Sequence, residues 1–246
     1  MAVDPTYPPL DTPKPVADGV WIVDSGPMKA GGLVSIPVRM ALFRDAAGEL
    51  VLYSPTRWTP ELAAELDGLG RVSWLLAPSS VHWTFVKGWQ DRYPNAAVLA
   101  APGLEKRGQV QRSGLRIDGH LGESLPLEWG GLFEAVTVPG GLGFREVGLF
   151  HRPSRTLALC DLVHNFEPQK LPPLQRPVVR LAGGMAPNGR AMIQLRTLVS
   201  LNRAAARAAA DRLVALAPER VLFAHGRIFE ADGAARLRRS LSWLLG

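Results

Sequence analysis

The stretch from Val38 to Pro78 constrains the fold more than any other part of the chain. Two apolar runs, VRMALFRD and ELVLYS, flank Ala46–Gly48, which is the pattern of a β-hairpin. A helix signal follows in SPTRWTPELAAELDGLG. Thr59 can cap it, Pro60 suits its first turn and Glu61 suits its positive end. Leu62, Leu66 and Leu69 give that helix an apolar face, and Gly70 ends it. RVSWLLAP then reads as a buried strand. A hairpin that feeds a helix and then a buried strand begins a layered α/β fold.

The remaining chain extends this order. A strand is expected from Gly19 to Asp24, and a loop over 26–37, which contains GP and GG. A short helix is expected around Phe85–Arg92, then a strand in AAVLAAP. PLEW and LFEAVTVP read as strands. GFREVGLFHRPSRTLALCD reads as a hairpin turning at Pro153–Ser154. Two helices are expected across 189–217, with Asn202 capping the second. ERVLFAHG is a late strand and ADGAARLRRSLSWLL a final helix. Residues 103–125 fit no clear element. The proline-rich residues 1–18 read as an extended segment ahead of a single domain spanning 19–246. Residues 166–190 carry five prolines and a GG pair, too long for a connector, and read as a lid or a wrapping loop. Two strand-rich halves with interspersed helices predict a four-layer αββα sandwich. A doubly wound sheet would need more regular alternation, and PGGLGF lies between two strands, so it is a turn and not a nucleotide loop.

Composition narrows the function classes. Hydrophobic residues make up 47% of the chain, enough for a sizeable core, yet no uninterrupted apolar run reaches the length of a membrane span. The N-terminus does not read as a signal peptide. A single cysteine, Cys160, excludes an internal disulfide and fits a reducing, cytoplasmic compartment. The net charge is +6, but only five of the 28 basic residues are lysines and the arginines are scattered. No basic stripe interleaved with aromatics suggests a nucleic-acid partner. A small-molecule substrate is the expected partner.

Three of the five histidines stand where a strand gives way to a loop: His82 in APSSVHW, His164 just past TLALCD, and His225 in RVLFAHG. Strand ends of layered α/β folds are where sites are built. Asp161 closes an apolar run, and Glu146 lies inside a strand, where a carboxylate is costly without a partner. Glu146 and His151 are five apart and so point to opposite faces. Glu146 is the one expected in the site, and His151 can instead bond the turn beside it. His82, Glu146, Asp161 and His225 can supply a metal's ligands, with His164 or His151 as a substitute or as a partner orienting a ligand. Arg57 can bind a substrate anion or form an ion pair. Cys160 lacks an obvious base, and Ser79 and Ser80 lack the G-x-S-x-G elbow of a serine nucleophile.

In order, MALFRDAAGELVLYSPTR, the segment LDGLG through LEKR, EVGLFHRPSRTLALCDLVHN and ERVLFAHG resemble the metallo-β-lactamase superfamily over residues 19–246. LYSPTR, HRPSRTL, DL and AHG are more similar to a branch known only as a domain of unknown function. The resemblance implies an αββα fold and hydrolysis by a metal-bound hydroxide. It matches Asp161 to the metal-bridging aspartate and His225 to the final ligand. The chain departs from the HxHxDH pattern: Pro78 and Ser80 stand at its first two histidines, His82 at its aspartate and Trp83 at its last histidine. The middle histidine is absent from PGGLGF. These departures point to one remodelled, mononuclear site taking a single zinc, iron or manganese ion. There Asp161 or Glu146, whichever is not bound, would act as base. The alternative is a non-catalytic member that has lost its metal.

Overall fold

The computed structural model describes residues 3–30, 34–122 and 124–246. Seven strands form the first sheet in sequence order: β1 (Pro13–Ala17), β2 (Val20–Ala30), β3 (Val34–Arg44), β4 (Leu50–Tyr53), β5 (Val72–Ala77), β6 (Ala97–Ala100) and β7 (Gly119–His120). The first four pair antiparallel, and β4 through β7 run parallel. The second sheet contains β8 (Phe133–Pro139), β9 (Arg145–His151), β10 (Thr156–Ala158) and β12 (Arg220–Leu222), in the order β12-β10-β9-β8. A small parallel pair joins β11 (His164–Asn165) to β13 (His225–Gly226).

Side-chain alternation builds the layers. Val20, Ile22, Phe43, Val51 and Tyr53 of the first sheet pack against Ala135, Val147, Leu149 and Ala158 of the second, so the two sheets face each other. Their sequence neighbours point outward. Met40, Leu42, Leu50 and Leu52 meet Leu62 and Leu66 of the helix Pro60–Leu69 and Trp89 of the helix Val86–Arg92. On the far face of the second sheet, Val136, Val138 and Phe150 meet Ala206, Ala209 and Leu213 of the helix Arg203–Ala215, and Leu237 of the helix Gly233–Ser240. Helix, sheet, sheet, helix is the four-layer αββα sandwich expected. Each fully buried leucine in these layers contributes roughly 1.5–3 kcal/mol.

The hairpin, the helix capped by the Thr59 hydroxyl at 3.2 Å from the Leu62 amide, and the strand RVSWLLAP stand where the sequence places them. Several expectations are corrected. Residues 26–30 and 34–37 are strand, because β2 and β3 keep pairing beyond a shift between Ser25 and Met28; the GG pair at 31–32 lies outside the described residues. PLEW is a 3-10 turn, Leu127–Trp129, closed by Gly130 at φ +56°. The Asn202 side chain makes no capping bond. Pro13–Ala17, inside the proline-rich N-terminal segment, pairs with β2. Within 166–190, two 3-10 turns and the helix Arg176–Ala182 wrap the outer side of β11, where the Phe166 amide donates to the Gly184 carbonyl. No helix among the described residues is long and apolar enough to cross a membrane.

Candidate metal centre

The site lies where several strand ends meet. β4 and β5 are parallel neighbours with Tyr53 opposite Leu76, so the residues that follow them come together. Ser54 adopts a left-handed φ of 54°, and its hydroxyl lies 2.8 Å from His82 Nδ1. The parallel register of β11 and β13 puts His164 directly opposite His225, with their rings stacked at 5.3 Å and 16°. Gly226 permits this approach. Its φ is +96°, and a Cβ there would lie 2.4 Å from the Asn165 carbonyl. Gly189 serves the same end, since a Cβ would sit 1.8 Å from the His164 carbonyl oxygen.

Asp161 is the centre of the cluster. Its Oδ2 lies 3.2 Å from His82 Nε2, and its Oδ1 lies 3.3 Å from His164 Nε2 and 3.4 Å from His225 Nε2. These separations are at or beyond the long end of N–H···O bonds. Single atoms of His82, Asp161 and His225 all lie within 4.8 Å of one another. His225 Nδ1 is 2.7 Å from the Pro37 carbonyl oxygen. A carbonyl only accepts, so the His225 proton belongs on Nδ1, and a neutral ring then aims a bare Nε2 lone pair at the Asp161 carboxylate. Two acceptors facing each other in a buried site fit a cation held between them, which is the arrangement metal-binding histidines adopt.

The electrostatics set His225 and His82 apart. Burial depresses the His225 imidazole and favours its neutral form. Burial alone would raise the Asp161 carboxyl, but the neighbouring His82 charge and the His164 imidazole hold it well below the usual carboxylate range. Burial alone would lower His82, yet Cys160 and Asp161 raise it well above its ordinary value. His164 Nδ1 is buried without a partner.

Glu146 is not in the cluster, which corrects its expected place as ligand and base. It is fully buried, and its oxygens accept the amides of Cys160 (2.8 Å), Asp161 (2.9 Å) and Leu162 (3.3 Å). Burial and the Asp161 charge push its carboxyl up to about 7 against the pull of those amides. Its work is to fix the backbone that carries Asp161. His151 lies at the opposite end of β9, where Nδ1 meets the Ser154 hydroxyl at 2.8 Å and the ring packs between Phe43 and Phe133. This is the turn bond, not a place in the site. Arg57 is exposed, sits over the Phe85 ring at 5.8 Å and borders a neighbouring cleft with Trp58 and Arg92 rather than the cavity that reaches the cluster.

The residues standing at the altered histidine positions have other work. The Val147 amide donates to the Pro78 carbonyl, Ser79 bridges to Glu146, and the Ser80 amide donates to the Arg145 carbonyl. APSS is therefore stitched onto β9 and joins the two sheets. Cys160 is buried and burial raises its thiol, which leaves it inert.

Sequence reasoning passed over two residues. Ser54 was hidden because its role depends on strand pairing. Arg39 could have been found, since an arginine inside the apolar run VRMALF is costly without partners. It is buried, pairs with Asp24 at 2.6 Å and donates to the carbonyls of Phe223 (3.0 Å) and Gly226 (2.7 Å), tying β3 to the chain on either side of His225.

A cavity of about 440 Å3 opens onto His82, Asp161, His164 and His225. Solved structures with this architecture share one fold. A metallo-β-lactamase from Pontibacter korlensis is 16% identical, with a TM-score of 0.62 over 94% of this chain and 97% of that one. The fold is that of the metallo-β-lactamases. The metallo-β-lactamase FIM-1 from Pseudomonas aeruginosa, in its mono-zinc form, is 12% identical with a TM-score of 0.61 over 99% of this chain and 96% of that one. Rubredoxin oxygen:oxidoreductase from Desulfovibrio gigas is also similar to this chain, at 13% identity and a TM-score of 0.66. The match covers 95% of this chain but 61% of that one. No protein-family model matches the sequence, and no curated protein does. At these identities the likeness shows the fold alone, and the fold hosts more than one chemistry.

Proposed function

We propose that this chain is a metal-dependent hydrolase with one remodelled, mononuclear site. His82, Asp161 and His225 hold the ion, and His164 stands beside it as a fourth donor. The observation that carries the reading is His225, whose Nδ1 is committed to the Pro37 carbonyl while Nε2 faces a carboxylate oxygen. Two imidazoles and one carboxylate suit zinc, and also iron or manganese. When bound, such an ion lowers the pKa of a coordinated water and polarises a carbonyl. The chain's own groups do the rest. Ser54 and the Pro37 carbonyl orient His82 and His225. Asp161 stays ionised, and the Glu146 side chain holds its backbone in place. Hydrolysis is favoured over electron transfer because the β-lactamase neighbours match this chain end to end, whereas the oxidoreductase extends well beyond it.

A second reading, a non-catalytic binding protein on the same fold, draws on Pro78, Ser80 and Trp83 at the altered motif. Metal analysis of protein purified without chelator separates the two. The hydrolase reading expects about one ion per chain, on isolation or after adding zinc, manganese or iron; less than about 0.2 under every condition overturns it.

A further inference from the structure

The proposed centre explains the polar end of the cavity but not its walls. Met28 and Ile36 of the β2–β3 hairpin, Trp83 and Phe85 of the loop after β5, and Leu195 and Leu198 of the helix Ile193–Ser200 line it from three sides. None of these six is fully buried, so each leaves apolar surface facing the cavity. The polar residues that join them outside the histidine–aspartate cluster are uncharged, apart from Arg39. Arg39 is paired with Asp24, which Lys14 also engages, and its Nη1 is committed to two carbonyls, which leaves its buried Nε as a donor without a partner. Beyond that arginine, already held by a carboxylate, the walls offer a charged ligand no counter-charge, whereas an apolar one gains from covering them.

We propose that the cavity binds an uncharged ligand whose hydrophobic acyl group packs between the hairpin, the loop after β5 and the helix Ile193–Ser200, with its carbonyl towards Asp161. Neutral esters and thioesters of hydrophobic acids are the matching substrate class. This assignment of substrate rests on the hydrolase reading; the binding of the apolar body does not. The cavity volume falls within the range of small-molecule sites that enclose most of a ligand.

The test separates the two. Straight-chain methyl ketones of increasing length are uncharged and resist hydrolysis. Their dissociation constants are measured by calorimetry on the full chain as purified, with the metal content read on the same sample. Affinity should rise about fourfold per methylene until the cavity is full. The carboxylate of equal length should bind at least about tenfold more weakly to a metal-free sample. Met28→Asp and Leu195→Asp should each flatten the chain-length dependence, and Met28 is 37% exposed, so its replacement spares the core. A flat series in wild-type protein, or carboxylates binding as well as ketones to the metal-free sample, overturns the inference. A rising series in protein that takes up no metal sustains the apolar site and overturns the hydrolase reading instead.

Discussion

Strand β9 carries a buried polar residue at each end, Glu146 at one and His151 at the other, and the two ends have different fates. At the His151 end, the imidazole meets one hydroxyl of its own turn and two phenylalanine rings, with Asp18 as the carboxylate that acts on it. At the Glu146 end, one carboxylate is consumed by three backbone amides, and the carboxylate beside it faces three imidazoles at 3.2–3.4 Å. Burial of a polar group therefore does not mark the site here, because Glu146 and His151 share it with His164 and His225. What marks the site is convergence: side chains from three separate stretches of chain aim atoms at one point where the protein alone does not pair them well.

The comparison breaks most sharply at Asp161. Asp161→Ala is expected to reduce bound metal from about one ion per chain to less than about 0.1, measured by elemental analysis, with loss of any hydrolytic activity. Unchanged metal content would make Asp161 a structural carboxylate like its neighbour. Glu146→Gln has the reverse profile. A glutamine offers one acceptor where Glu146 uses two and turns its own N–H towards a backbone N–H, so unfolding free energy should fall by about 1–3 kcal/mol. Saturating metal should still bind, with affinity weakened roughly tenfold because the loop carrying Asp161 loosens. Full stability with no metal would reverse the roles assigned to the two carboxylates.

How far these roles were legible follows from where the information lies. The hairpin, the Thr59-capped helix and the strands RVSWLLAP and ERVLFAHG rest on local periodicity and caps, so the sequence carries them. The alternation that predicts two facing sheets is local as well. His82, Asp161 and His225 were visible as polar residues at strand ends. Their spacing alone could not exclude Glu146, whose partners are backbone amides and leave no trace in side-chain identity. The stacking of His164 on His225 comes from the register of two parallel strands far apart in sequence. Extended pairing across the hairpin, Met28 opposite Ile36, likewise overrode the turn-like GP and GG and supplied one wall of the cavity.

Ser54 sharpens the comparison at smaller cost. It is the counterpart of Ser154, for each hydroxyl meets a histidine Nδ1 at 2.8 Å, but only Ser54 orients an imidazole whose other nitrogen faces Asp161. Ser54→Ala should weaken metal affinity about tenfold and change stability by no more than about 1 kcal/mol. Ser154→Ala should leave metal affinity unchanged. Equal effects on metal binding would mean that a hydroxyl beside a histidine is a packing device at both ends.

The smallest effect belongs to His151 and concerns pH. Burial lowers its imidazole pKa, with Asp18 opposing only in part, so the folded protein keeps the ring neutral over a range where the unfolded chain, near 6.5, begins to protonate it. The unfolded state then binds more protons than the native one. The contribution is fully present above pH 6.5 and is lost as pH falls below 6.5 towards the folded value. Urea unfolding at about pH 7.5 and pH 5.5 should show wild type losing more stability on acidification than His151→Gln. The histidine–aspartate cluster is the same in both proteins, so subtracting one acid loss from the other isolates the far end of β9. Equal losses would mean that His151 takes up its proton alike in the folded and unfolded chains, and the contrast between the two ends would then rest on Glu146 and Asp161 alone.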